Sequence, residues 1–263
     1  MATAEVNGAR LWYEETGSGP AVVLLHGGLG DSRLWEPAVP ALAERFRTIR
    51  YDRRFYGRST GPAAPWSEPD DLVGLLDELD VPHAAFVGLS AGGALALDTA
   101  LAAPGRCWAL VGVASGLSGH DGHAYTGEQE AAYEEAAAAG DLDRAMDVDF
   151  EVWAPLGADD LMRELWLATP DADPLPPGVE ARPAASPAAS RLAELAVPAL
   201  MITARRDPPG FREIGPLVAR EAPDARCFEV DSDHYLTLRE PELVMRPILE
   251  FLTGASRSAA EER

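Results

Sequence analysis

Short runs of apolar residues, separated by longer stretches with helical spacing, recur along most of the chain. Each run is continuous rather than alternating, which is typical of strands buried on both faces of a sheet. Between the runs, apolar side chains return every three or four residues, as in the segment 67–80, and this predicts amphipathic helices. The alternation favours an α/β fold with a mostly parallel sheet covered by helices on both faces. The predicted buried strands are residues 21–25, 48–52, 84–89, 107–114, 199–203 and 226–230.

Two local signals refine the first fifty residues. Asn7-Gly8 lies between two strand-like stretches, and this dipeptide predicts a tight β-hairpin. The segment 34–46 has apolar residues at helical spacing with Pro37 near its start, so we expect an amphipathic helix there.

The rhythm of strands and helices stops near Gly116 and resumes after about residue 190. The stretch in between is rich in proline towards its end, which is typical of an extended linker. We interpret it as a helical cap inserted into the sheet domain, with helices at 128–139, 141–153 and 159–169.

The predicted organisation therefore has two parts of one sheet domain around the cap. We expect a last helix at 241–252 that Pro247 kinks or interrupts, and no ordered structure after it. The boundaries that follow are 1–116 for the first part of the core, 117–190 for the cap and linker, 191–253 for the second part of the core, and 254–263 for a disordered tail.

Charge and composition narrow the classes of partner. The formal net charge of −21 would repel a phosphate backbone or an anionic lipid surface, so we expect neither nucleic acid nor membrane as a partner. The first eleven residues lack the basic and apolar regions of a signal peptide, and no apolar run is long enough to span a bilayer. A cytoplasmic protein is expected, and its oligomeric state stays open.

The strongest chemical signal is the G-x-S-x-G pattern Gly88-Leu89-Ser90-Ala91-Gly92. It follows a predicted strand and precedes a predicted helix, and a sharp turn between the two lifts a serine hydroxyl above the sheet. The helix N-terminus adds a positive dipole beside this hydroxyl. Ser90 is therefore the candidate nucleophile, and the alternative is an ordinary N-cap serine.

Three further motifs occur in the right order for one known family. His26-Gly27-Gly28 follows the first long buried strand, and the segment 51–59 resembles the loop D-x-R-G-x-G-x-S. Together with the order Ser, Asp, His, these motifs resemble the α/β-hydrolase fold family over nearly the whole chain. The similarity is greatest to small esterases, enol-lactonases, carbon–carbon bond hydrolases and cofactor-free haloperoxidases. Three positions depart from the family pattern, namely Phe55 in place of glycine, Ala204-Arg205 in place of Gly-Glu, and Asp233 in place of glycine before the base.

His234 and Asp207 are the candidate base and acid, because each follows one of the last two predicted strands and both are expected at the same sheet edge. Asp233 adjoins His234 and could compete with Asp207 for Nδ1 of the imidazole, and Asp231 is a further alternative. The backbone N–H of Ala91 is expected to form one half of an oxyanion hole. The resemblance implies Gly28 for the other half.

The cap contributes candidate substrate contacts. Tyr125, Trp153 and Trp166 could line an apolar site, although the same side chains could equally form the core of the cap. Arginines in the segment 51–59 could clamp a substrate carboxylate or simply pair with surface acids, and these are Arg53, Arg54 and Arg58.

The function expected from these residues is that of a serine hydrolase. Ser90 would attack an ester, a lactone or another activated carbonyl of a small-molecule substrate, and an acyl-enzyme would be hydrolysed by water. No motif for a metal or an organic cofactor is found, so none is expected. The same residues would also serve an acyltransferase, a cyclase or a perhydrolase, or persist in a ligand-binding homologue without activity.

Overall fold

A computed structural model describes residues 2–120 and 122–261. Eight strands form one sheet in the order β1-β2-β4-β3-β5-β6-β7-β8. The pairs β1–β2 and β2–β4 are antiparallel and all other neighbours are parallel. The strands are β1 (Ala2–Val6), β2 (Ala9–Thr16), β3 (Ala21–Leu25), β4 (Arg47–Tyr51), β5 (Ala84–Leu89), β6 (Cys107–Val113), β7 (Ala199–Ala204) and β8 (Ala225–Val230).

Helices connect the strands and supply the cap. Those of the described residues are α1 (Val39–Ala43), α2 (Glu68–Glu78), α3 (Ala91–Ala102), α4 (Gly127–Ala139), α5 (Leu142–Trp153), α6 (Asp160–Trp166), α7 (Pro209–Glu221), α8 (Leu236–Arg239) and α9 (Pro241–Glu261). Short 3-10 segments lie at Ser32–Ala38, Pro104–Arg106, Ala188–Ser190 and Leu192–Glu194. No described helix is long and apolar enough to cross a bilayer.

The hydrophobic core has two layers, one on each face of the sheet. Along β3, Val22 and Leu24 point into the layer under α1 and α9, while Val23 and Leu25 point into the layer under α2, α3 and α7. This alternation explains why the run is apolar throughout, because both faces of the strand are covered. The predicted α/β architecture is confirmed.

The cap is built from α4, α5 and α6, between β6 and β7. Phe150 and Trp166 of the cap belong to the same buried cluster as Val87 and Val113 of the sheet. The cap therefore packs as an extension of one core layer, and its predicted limits of 117 and 190 stay a prediction.

Two predicted helices differ from the structure. The segment 34–46 is not a regular amphipathic helix but a 3-10 stretch followed by the short α1. Pro37 and Pro40 explain this, because each lacks the N–H that a longer α-helix would use. The helix α9 continues through Pro247, so the expected interruption is wrong, whereas the expected kink stays a prediction.

The predicted disordered tail is also wrong for residues 254–261, which extend α9. Val244, Ile248 and Leu252 anchor α9 in the core, and elongation from such an anchored helix is cheap. The alanines that follow Gly254 have the highest intrinsic helix propensity. Glu262 and Arg263 lie outside the described residues.

A buried ion pair fastens the loop after β4 to α2. Arg54 donates to both carboxylate oxygens of Asp71 at 2.8 Å, and both side chains are at most 5% exposed. Asn7 of the β1–β2 turn donates to the same carboxylate at 3.0 Å. Three separate segments thus meet at one buried charge.

Asp71→Ala is expected to lower the free energy of unfolding by about 3–5 kcal/mol, because it leaves the Arg54 charge buried and unpaired. Asp77→Ala is the matched control, since Asp77 lies on the same helix and pairs with Arg106 at the surface, where such pairs contribute less than about 1 kcal/mol. Urea unfolding of both variants measures the difference. Equal losses would contradict the special role of the buried pair.

Candidate active site

Ser90 occupies the sharp turn between β5 and α3. Its backbone has φ 54° and ψ −120°, a conformation that a residue with a side chain rarely adopts. The turn is held by its neighbour β6, because Ser90 N–H donates to Val113 O at 3.0 Å and Gly116 N–H donates to Ser90 O at 2.9 Å. The structure therefore places the candidate nucleophile on the strained strand-to-helix turn that the motif predicts.

Two glycines make this turn sterically feasible. A Cβ at Gly88 would lie 2.2 Å from Gly92 O, and a Cβ at Gly92 would lie 2.3 Å from Leu25 O. Both obstacles are backbone atoms that cannot move aside. The motif thus needs glycine at these positions because α3 passes directly against β3 and β5.

The candidate base and acid meet in the structure. Asp207 follows β7, His234 follows β8, and His234 Nδ1 lies 3.0 Å from Asp207 Oδ1. Both residues are only 5% exposed. A carboxylate at Nδ1 selects the tautomer with the proton there, so Nε2 is free to accept a proton from a nucleophile.

Asp233 does not compete for the imidazole. Its buried carboxylate accepts from Arg239 Nε at 2.8 Å and from the backbone N–H groups of Leu156 and Tyr235 at 3.2 Å. Asp231 pairs with arginines on the exposed surface. The geometry thus leaves Asp207 as the carboxylate on His234.

The loop that carries His234 reaches over the sheet towards Ser90. The Tyr235 hydroxyl donates to Leu29 O at 3.5 Å, beside the Gly27-Gly28 turn. A Cβ at Gly27 would in turn lie 3.2 Å from Ser90 Cβ. The base loop and the nucleophile turn therefore flank the same turn, although within the described residues no hydrogen bond joins Ser90 to the His234 ring.

The candidate oxyanion donors lie in the Gly27-Gly28 turn and in the turn that carries Ser90. Ala91 is the first residue of α3, so its N–H has no partner within the helix. Gly28 has no heavy atom within 4 Å of where a Cβ would be. Gly28, Ser90 and Ala91 are each half-buried, so solvent and ligands reach the place where two backbone donors could converge.

Hydrogen bonds hold the ring of His26 in a fixed position beside the Gly27-Gly28 turn. The ring is fully buried, its Nε2 accepts from the Arg53 N–H at 2.9 Å, and its Nδ1 lies 2.8 Å from Gly27 O. These partners require a neutral ring with the proton on Nδ1. Burial, and next the charge of Arg53, lowers the pKa of His26 to about 4. His26 therefore braces the loop and is unavailable as a base.

In the loop after β4, Phe55 replaces the glycine of the family pattern and strains the backbone. Phe55 has φ 68°, in the left-handed region that favours glycine. Its ring packs edge-to-face on Trp66 at a centroid distance of 4.9 Å. This aromatic contact offsets part of the backbone strain.

The three arginines of this loop have different partners. Arg54 is bound to Asp71, and Arg58 donates to both oxygens of the buried Asp52. Arg53 lies 3.4 Å from Glu68 and stacks on the Tyr56 ring at 4.5 Å, while its Nη1 has no hydrogen-bond partner. A clamp formed by all three arginines is therefore excluded by the geometry.

The three aromatic residues of the cap that could contact substrate differ in their burial and in their distance from His234. Trp153 lies against the His234 ring with the two centroids 4.5 Å apart, and Tyr125 is half-buried beside it. Trp166 has no exposed surface and donates its N–H to Asp149 at 2.6 Å. This placement contradicts a substrate-binding role for Trp166, because a fully enclosed side chain cannot touch a ligand.

Sequence reasoning missed three residues that contact the base, its loop or the cap aromatics. Phe211 of α7 packs edge-on against His234, Arg239 holds Asp233, and Asp149 organises the cap aromatics. No local motif signals these contacts: those of Phe211 and Asp149 join residues far apart in the chain, and the Arg239–Asp233 pair, although its residues are only six positions apart, matches no known pattern. Within residues 2–120 and 122–261, no group of three or more His, Cys, Asp or Glu side chains is arranged to hold a metal ion.

Gly92→Ala is expected to unfold at a markedly lower temperature than the native protein, because its methyl group would collide with Leu25 O. Gly28→Ala is the matched control and should keep the native midpoint within a few degrees, since its methyl group meets open space. Thermal unfolding followed by circular dichroism compares the two. A Gly92→Ala protein as stable as the native one would overturn the steric account of the turn.

The His26 ring predicts a specific dependence of stability on pH. Its folded pKa of about 4 lies below the usual 6.5, so its contribution is fully present above pH 6.5 and is lost as the pH falls through 4. The stability of the native protein relative to His26→Gln should fall by about 3 kcal/mol between pH 7 and pH 4. The comparison with the variant cancels Asp171, whose raised pKa of about 6 acts in the opposite sense. A constant difference across this range would contradict a neutral buried His26.

Comparison with known proteins identifies the family of this chain. Residues 20–241 match the family model of the alpha/beta hydrolase fold. The chain is 42% identical over 120 residues to a protein assigned as carbamate hydrolase RutD of Caulobacter sp. (strain K31), which covers 42% of the chain and 44% of that protein. It is 39% identical over 113 residues to an epoxide hydrolase of Caballeronia sordidicola, which covers 41% of the chain and 34% of that protein. The match with each of these relatives thus spans less than half of the relative's length.

A solved structure extends the likeness to nearly the whole chain. The enol-lactonase from Burkholderia xenovorans LB400 superposes with a TM-score of 0.77 over 95% of this chain and 99% of that one, at 23% identity. At this identity the likeness concerns the fold alone. The match to the family model covers both the turn of Ser90 and the loop of His234. The chain therefore belongs to the alpha/beta hydrolase fold family.

Proposed function

We propose that this chain is a serine hydrolase that cleaves an ester, a lactone or another activated acyl carbonyl of a small molecule. The observation that carries the proposal is the 3.0 Å contact between Asp207 and Nδ1 of His234, at the sheet edge where Ser90 sits on its strained turn. An oriented imidazole and a serine hydroxyl within reach of a ligand are what nucleophilic acyl transfer requires. The acidic surface and the absence of a long apolar helix among the described residues fit a cytoplasmic enzyme, which is part of the proposal.

The residues divide the reaction into two steps. Ser90 Oγ attacks the carbonyl carbon while Nε2 of His234 takes the hydroxyl proton, and the N–H groups of Gly28 and Ala91 stabilise the negative oxygen that forms. Collapse of this intermediate transfers the proton from His234 to the leaving alcohol and leaves an acyl group on Ser90. A water molecule then repeats the sequence, releases the acid and restores the serine. Such oxyanion donors each contribute about 3–4 kcal/mol to the transition state.

The two named relatives suggest different substrates, and the nucleophile favours one of them. A carbamate has an acyl carbonyl, so attack by a serine gives an ester-like intermediate that water can cleave. Attack of a serine hydroxyl on an epoxide would instead form an ether, which water at a site of this kind does not release. The hydroxyl at Ser90 therefore supports acyl substrates over epoxides.

A fluorophosphonate probe with intact-mass detection tests the proposal. The native protein should gain the mass of one phosphonyl group at neutral pH, and Ser90→Ala should gain none. The same pair of proteins should differ in the release of acid from short aryl esters and lactones. Native protein that stays unlabelled would contradict the proposal.

The acid is tested by comparing two neighbouring carboxylates. Asp207→Asn should slow labelling by roughly 10³–10⁴-fold, because the amide no longer fixes the imidazole tautomer. Asp233→Asn should slow labelling far less at a temperature well below its unfolding midpoint, since Asp233 contacts Arg239 and backbone rather than the ring. A larger loss of labelling rate in Asp233→Asn would assign the acid to Asp233.

A further inference from the structure

The imidazole of His234 is held on several sides. Asp207 contacts Nδ1, and the Phe211 ring packs edge-on against the imidazole with the two centroids 5.5 Å apart. Trp153 of the cap lies nearer than Phe211, because its indole centroid is 4.5 Å from the imidazole centroid, with the two planes tilted by 50°. Trp153 O also accepts the backbone N–H of His234 at 3.2 Å. The cap therefore touches the candidate base through both the ring and the backbone of one residue.

The orientation of the Trp153 indole is set by a chain of hydrogen bonds. Its Nε1–H donates to the Tyr125 hydroxyl at 2.8 Å, and the Tyr125 hydroxyl donates to Asp149 Oδ1. Trp166 donates to the other oxygen of Asp149 at 2.6 Å. Because an indole N–H can only donate, the Tyr125 oxygen must accept it, and the direction of every bond in the chain is fixed.

The chain of hydrogen bonds ends at Asp149, a carboxylate in an unusual environment. It is 1% exposed, and no cation pairs with it among the described residues. Burial raises the pKa of this carboxyl group, which shows how poorly the site solvates the charge. Both of its oxygens nevertheless receive hydrogen bonds from aromatic side chains of the cap. A fully satisfied buried polar group of this kind selects one arrangement of its neighbours.

We propose that Asp149 is a positioning residue for the base, because through the Tyr125 hydroxyl it fixes the indole of Trp153 against the imidazole of His234. The inference rests on the proposed function and adds a device within the cap that controls the reactivity of Ser90. Trp153 thus acts on the catalytic ring directly, and Tyr125 acts on it through Trp153. This role differs from substrate binding, for which the sequence nominated them.

The cap contains a residue whose substitution is a matched control for this chain of hydrogen bonds. Tyr133 lies next to Tyr125, with the ring centroids 6.3 Å apart, and its hydroxyl bonds to Asp171 rather than to Asp149. Tyr133→Phe therefore removes a hydroxyl from the same cap without breaking the path to His234. A general loosening of the cap would affect both tyrosine variants alike.

The rate constant of Ser90 labelling by a fluorophosphonate reports the reactivity of the nucleophile without a natural substrate. Tyr125→Phe should lower this rate constant about tenfold, as expected for loss of a hydrogen bond that involves a charged group. Asp149→Asn should lower it in the same direction. Tyr133→Phe should leave it within about twofold of the native value. Thermal unfolding of each variant confirms that labelling is measured on folded protein.

A double-mutant cycle separates a connected chain from independent packing effects. Trp153→Phe keeps an aromatic ring beside His234 but removes the N–H that Tyr125 orients. In the Trp153→Phe background, Tyr125→Phe should therefore cause no further loss of labelling rate. Equal effects of Tyr125→Phe in the native and Trp153→Phe backgrounds would overturn the inference.

Two other outcomes would also overturn it. One is an unchanged labelling rate in both Asp149→Asn and Tyr125→Phe, and the other is a loss in Tyr133→Phe as large as that in Tyr125→Phe. Failure of the proposed function looks different, because the native protein itself would then remain unlabelled. Tyr125→Phe keeps the test decisive if Asp149→Asn does not fold.

Discussion

The close approach of α3 to β3 and β5 is the constraint on which the site depends. At this crossing the chain has no room for side chains at Gly88 and Gly92, and the residue between them, Ser90, is held with φ 54°. Such strain persists only where surrounding structure determines the backbone, and here Val113 of β6 and Gly116 of the loop after it bond to the N–H and the carbonyl of Ser90. The consequence is a hydroxyl raised above the sheet at the N-terminus of a helix.

The parallel strands then determine where the partners of Ser90 come from. The carboxyl ends of β7 and β8 lie at the same edge as that of β5, so the loops that follow them deliver Asp207 and His234 together. The cap completes the arrangement from above. It contacts His234 through Trp153, and the backbone N–H of Leu156 donates to the carboxylate of Asp233. Base loop and cap are thereby packed as one unit.

Local patterns predicted much of this from the sequence. Asn7-Gly8 closes the first hairpin with positive φ at both residues, and the apolar run 21–25 is the two-sided strand that it predicts. The glycines around Ser90 predict the turn because only a crowded crossing requires them. These features are readable because their cause lies within a few residues of chain.

The errors have the opposite origin. The spacing of apolar residues in 34–46 suggests one helix, but a second proline at position 40 shortens the α-helical part to five residues. Residues 254–261 extend α9 because the core anchors the helix far upstream. Trp166 was expected at the substrate, yet its side chain is fully buried. Its N–H donates to Asp149, and this bond joins two helices of the cap. Tertiary contacts of this kind leave no local signature.

A crystal structure of the protein with a phosphonate bound to Ser90 tests the account most directly. The account predicts that the phosphonyl oxygen accepts hydrogen bonds of about 3 Å from the N–H groups of Gly28 and Ala91. It also predicts Nε2 of His234 within hydrogen-bond distance of the adduct, with Nδ1 still on Asp207. A phosphonyl oxygen turned to solvent, or an imidazole out of reach of the adduct, would contradict it.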